Sequence, residues 1–134
     1  MPHLVILYTP QLDTETDMSA LCRALADSML TVRDDADKQV FPTGGVRVLA
    51  YPAAHSAVAD GQRDYGFVYL NLRMGRGRSA AVQQRAGEAL MATTRTHFAP
   101  LLAQRYLGLT LQIDEGPEVF DAKQSTIHPL FNKT

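Results

Sequence analysis

A proline in second position heads an unbroken apolar run: Met1-Pro2-His3 is followed by Leu4, Val5, Ile6, Leu7 and Tyr8. A run of that length without polar alternation predicts a strand buried on both faces, as in the middle of a sheet. Proline is tolerated in such a strand only because it comes first. We therefore expect a first strand over residues 2–9. The same proline has a chemical consequence. Removal of the initiator methionine, usual before a small residue, leaves Pro2 with a secondary amine at the head of a buried strand. Desolvation lowers an amine's pKa, and a general base works best when its pKa lies near the ambient pH. With Met1 retained, the same nitrogen is an amide without useful basicity.

The rest of the chain reads as three further strands and two helices. Met18, Leu21, Leu25 and Met29 recur at helical spacing behind Asp17, a suitable N-cap, and predict a helix over 17–31. The mixed charges from Arg33 to Lys38 read as a solvated loop. A second strand is expected over 45–51, followed by a long connection, 52–64, with a turn at Asp60-Gly61. The third strand alternates sharply, with Val68, Leu70, Leu72 and Met74 on one face and Tyr65, Phe67, Tyr69, Asn71 and Arg73 on the other. Gly75-Arg76-Gly77-Arg78-Ser79 turns into a second helix, capped by Ser79 and running to about Arg105 with a stripe of Ala86, Leu90, Thr94, His97, Phe98 and Leu101. A fourth strand is expected over 107–114. The tail carries two prolines and a small apolar cluster of Ile127, Leu130 and Phe131.

The resulting order, β-α-β-β-α-β, defines an α+β (two-layer) fold of the split βαβ type. It is a four-stranded sheet with both helices on one face. We read residues 1–134 as one domain of two βα(β) units, about 1–58 and 59–115, plus the tail. The opposite face of the sheet has no helix of its own, so association with other subunits is expected.

Composition narrows the function classes. A net charge of −1 supplies no global field for nucleic acid or anionic membrane. The apolar runs fall far short of the roughly 20 residues that span a bilayer, and no secretory signal opens the chain. The single Cys22 cannot form an internal disulfide, which fits a reducing cytoplasm. His3, His55, His97 and His128 lack metal-ligand spacing, and no metal site is expected. His97 lies on the apolar stripe and reads as a core group. Two arginines suit anion binding. Arg47 opens the second strand behind Gly44-Gly45. Arg78 opens the second helix, where free N–H groups and the macrodipole favour anions, and guanidinium forks bind carboxylates in a bidentate manner. Both also fit ordinary surface arginines. Nucleic-acid binding through Arg73, Arg76 and Arg78 is a weaker reading, because no RNP-like aromatic motif accompanies them.

Several segments together carry a resemblance: Met1-Pro2-His3, Phe41-Pro42 through Gly45-Val46-Arg47, and Ala59-Asp60-Gly61-Gln62 with Asp64-Tyr65-Gly66-Phe67-Val68. They continue with Gly75, Gly77-Arg78-Ser79, Gln84-Arg85-Ala86-Gly87-Glu88, Thr96-His97-Phe98-Ala99, Lys123-Gln124 and His128-Pro129-Leu130-Phe131. In this set the chain resembles the 5-carboxymethyl-2-hydroxymuconate Δ-isomerase family of the tautomerase superfamily. The resemblance implies a cytoplasmic homotrimer without a cofactor. It also implies a small dicarboxylate substrate of homoprotocatechuate breakdown, ketonised by proton transfer through Pro2. Arg47 and Arg78 would grip carboxylates and polarise the developing oxyanion. A non-catalytic trimeric binding module remains the alternative, as does another proline-dependent activity of the superfamily (decarboxylase, dehalogenase or hydratase). Arg73 and Arg76 add cations near these positions and leave the substrate open.

Overall fold

The computed structural model describes residues 2–131, so the state of Met1 lies outside the described residues. Strand β1 (His3–Tyr8) sits inside a four-stranded sheet of order β2-β1-β3-β4, with β2 Arg47–Pro52, β3 Tyr65–Met74 and β4 Tyr106–Glu115. β1 pairs parallel with β2 and antiparallel with β3, and β3 pairs parallel with β4. Each parallel pair needs a crossover helix. These are α2 (Met18–Thr31) and α3 (Ala80–Leu102); the first helical turn, α1, spans Leu12–Glu15. The expected α+β fold and element order are borne out, with boundaries shifted by one to three residues.

The caps behave as their residue types dictate. The Asp17 carboxylate accepts from the N–H of Ala20 at 3.0 Å, and the Ser79 hydroxyl accepts from that of Val82 at 3.2 Å. α3 stops at Leu102 rather than Arg105, because the N–H groups of Gln104 and Arg105 both turn back to the Leu101 carbonyl. α1 was not anticipated. Four residues are too few to show a period, yet the turn seats Leu12 fully inside the core, against Gly66. A 3₁₀ turn, Thr43–Gly45, likewise precedes β2 and takes Gly45 out of the strand expected over 45–51.

The core lies between the helices and one face of the sheet. Leu4, Ile6, Leu70, Leu72 and Met74 meet Leu21, Leu25, Met29, Leu90 and Phe98 there, all fully buried. The partly buried Cys22 packs against this cluster, and burial pushes its thiol pKa up, away from a nucleophile's. His97 is half-buried rather than enclosed. Its Nε2 lies 2.8 Å from Thr16 Oγ1, and desolvation pushes its pKa down.

β1 corrects one expectation. Leu4, Ile6 and Tyr8 are buried, but Leu7 on the other face is 47% exposed, as are its neighbours Leu49 and Tyr51 at 49%. A single chain covers only the face that its helices reach. The unbroken apolar run therefore describes a strand whose second face is apolar without being covered within one chain.

Candidate active site

The strand directions collect the singled-out residues at one end of the sheet: the starts of β1 and β2 and the close of β3. His3 stands in register with Arg47 on one side and Arg73 on the other, so the three form a row across β2, β1 and β3 on the open face. Pro2, one residue earlier, is buried. Arg78 lies beyond the end of β3, on the turn into α3.

Arg47 and Arg78 are held differently. Arg47 Nη1 donates to the Gly45 carbonyl at 3.0 Å. With His3 and Arg73 it lines a half-open cavity of about 960 Å³, bordered also by tail residues that include Lys123 and His128. The Arg78 guanidinium lies 5.3 Å from the centroid of the fully buried Phe41 ring and donates weakly to the carbonyls of Gly75 (3.3 Å) and Val40 (3.4 Å). It lines a separate cavity of about 630 Å³, together with Arg76, Asp34 and Asp35. The two arginines thus share one end of the sheet without sharing a cavity within the single chain.

Neither arginine forms an ion pair with a carboxylate among the described residues. Arg23, Arg85 and Arg105 do, with Asp27, with Asp35, and with Glu15 and Asp64. Cations left without carboxylates at one end of a sheet can receive anionic groups. His3 is kept from adding charge there: desolvation first, and then the Arg47 guanidinium, lower its pKa. Among the described residues no group of three His, Cys, Asp or Glu side chains could hold a metal ion.

The tail is what sequence reasoning missed. Residues 116–131 fold back over the Thr43–Gly45 turn, ending in a short 3₁₀ turn, His128–Leu130. The Ser125 hydroxyl accepts from the N–H groups of Ile127 and His128. A Cβ on Gly44 would sit 2.7 Å from the His128 Cα, so only glycine lets the two backbones touch. His128 Nδ1 is buried there without a hydrogen-bond partner among the described residues. Nothing in residue spacing links positions so far apart in the chain. The expected apolar cluster of Ile127, Leu130 and Phe131 stays at least half exposed. Gly44→Ala should cost about 1–3 kcal/mol through this overlap. It should also free the tail, seen as faster proteolytic cutting after residue 116 with the rest of the chain intact. Unchanged stability and cutting would contradict the docking.

The fold and site together define an α+β protein of the split βαβ type, a four-stranded β-α-β-β-α-β sheet with Pro2 heading an inner strand and arginines without carboxylate partners among the described residues at the same end. Comparison with known proteins narrows this further. The family described as 5-carboxymethyl-2-hydroxymuconate isomerase matches residues 2–131. The Escherichia coli 5-carboxymethyl-2-hydroxymuconate Delta-isomerase is 33% identical over 131 residues, 98% of this chain and 99% of that protein. A crystal structure of 5-carboxymethyl-2-hydroxymuconate delta-isomerase is 62% identical and covers 100% of this chain and 95% of its own, with TM-score 0.95. That of a 5-carboxymethyl-2-hydroxymuconate isomerase from Deinococcus radiodurans R1 is 37% identical over 98% of this chain and 95% of its own, with TM-score 0.87. The chain belongs to the 5-carboxymethyl-2-hydroxymuconate isomerase family.

Proposed function

We propose that the chain ketonises 5-carboxymethyl-2-hydroxymuconate, or a similar 2-hydroxy dienoic acid, in the breakdown of homoprotocatechuate. Membership of the family over residues 2–131 carries this reading. Pro2, freed of Met1, takes the proton of the 2-hydroxyl. The C2–O bond becomes a carbonyl, the double bonds shift to C3=C4, and the prolinium returns the proton to C5. Arg47 and Arg78 bind carboxylates and stabilise the negative charge that develops on the 2-oxygen, where fixed cations contribute most to the rate. Anchoring a flexible acid by two of its carboxylates also holds its carbon chain against the base.

The reading includes a cytoplasmic homotrimer. Leu7, Leu49 and Tyr51 on the open face, and Ile127, Leu130 and Phe131 on the tail, are the apolar groups that subunit contact would cover. Such contact also offers a way to bring an Arg78 cavity against an Arg47 cavity. Among the described residues no helix is long and apolar enough to cross a membrane.

The test is the ultraviolet absorbance change of the dienol on mixing with protein whose intact mass shows loss of one methionine. Accelerated ketonisation is expected. A chain that begins at Pro2 and binds the acid without converting it would leave the non-catalytic binding module as the better reading.

A further inference from the structure

Arg73 has no part in the chemistry above, yet it is placed for binding. It closes the row Arg47–His3–Arg73 and lines the same cavity as Arg47. Neighbouring strands are about 4.8 Å apart, so with β1 between them the Cα atoms of Arg47 and Arg73 stand about 10 Å apart. That separation suits the two carboxylates at the ends of one extended chain of seven carbons, the path from C1 of a 5-carboxymethyl-2-hydroxymuconate to the carboxylate of its arm. The carboxylate in register beside Arg73 is Asp114, but its Oδ2 accepts from Asn71 Nδ2 at 2.8 Å. No hydrogen bond or ion pair engages Arg73 among the described residues. Its direction is set by packing: the guanidinium lies on the buried Gly116, where a Cβ would come within 2.6 Å of Nη2 and 2.9 Å of Nε. A packed, directed guanidinium whose neighbouring carboxylate is engaged elsewhere is available to a ligand. Two tail carboxylates, Glu118 and Asp121, also border the cavity, and Asp121 is paired with Lys123 at 2.9 Å.

The substrate class has a carboxylate to spare. A 5-carboxymethyl-2-hydroxymuconate carries three: one at each end of the muconate chain and one on the carboxymethyl arm. We infer that Arg73 is a specificity-determining residue that binds the carboxylate of the arm, so that the cavity distinguishes the branched triacid from the unbranched 2-hydroxymuconate. This rests on the function proposed above.

Arg73→Gln protein is assayed on both acids. The expected result is a loss in kcat/KM of about tenfold or more on 5-carboxymethyl-2-hydroxymuconate, with less than about twofold on 2-hydroxymuconate, the scale of one charged hydrogen bond. Equal losses on the two acids, or none on either, overturn the inference. Calorimetric binding of propane-1,2,3-tricarboxylate and of glutarate separates this inference from the function beneath it. If the wild-type chain converts neither muconate, the proposed function fails. A wild-type preference for the triacid that disappears in Arg73→Gln then still supports Arg73 as an anion contact. A preference that is unchanged in the variant overturns it.

Discussion

Pro2→Ala, in protein that begins at the alanine, should ketonise 5-carboxymethyl-2-hydroxymuconate with kcat lower by about 10²–10⁴-fold, the range a positioned general base contributes. The alanine variant still presents an amine, but a primary, less basic one on a rotatable bond, without the ring that fills the buried position at the head of β1. Its unfolding midpoint should stay close to that of the parent, since the hydrogen-bonded part of the strand starts at His3. Stopped-flow absorbance on the two proteins, with intact mass confirming both N-termini, measures the ratio. Equal turnover would remove Pro2 from the mechanism.

Phe41→Ala should cost about 3–5 kcal/mol of folding stability, a large share of the roughly 5–15 kcal/mol that holds a domain folded. The ring is fully buried, and truncation leaves a cavity beneath the Arg78 guanidinium. Urea titration gives the stability change. A second consequence separates packing from function. Phe41→Leu keeps most of the volume but removes the aromatic face under the cation, so its stability loss should be the smaller while kcat/KM still falls. A fully active Phe41→Leu enzyme would show that the ring does not orient Arg78 for substrate.

The elements were legible where local chemistry decides them. Asp17 and Ser79 announce helix starts because their side chains replace missing backbone acceptors, and the alternation from Tyr65 to Met74 is the pleat itself. The reading lost detail where the deciding contact is remote. Leu12 is buried by Gly66, the Thr43–Gly45 turn is shaped by its contact with His128, and the exposure of Leu7 depends on what one chain's helices fail to reach. For the candidate site, the sequence located Pro2, Arg47 and Arg78 at element starts. It did not reveal that Arg47 and Arg78 face separate cavities, because Arg47 leaves a strand toward the tail while Arg78 leaves a turn toward the loop of Asp34 and Asp35, contacts remote in the chain.

The two ends of the sheet also differ in what they ask of the solvent. At the end where β3 begins, Arg105 is gripped by Glu15 and Asp64, so its charge is already answered inside the protein. At the end where β3 closes, Arg47, Arg73 and Arg78 form no ion pair among the described residues, though Asp34, Asp35, Glu118 and Asp121 border their cavities. On the proposed function, phosphate, sulfate or chloride should therefore compete with substrate at this pole. Activity measured in dilute buffers of weakly coordinating anions should then exceed that in phosphate or sulfate at equal pH.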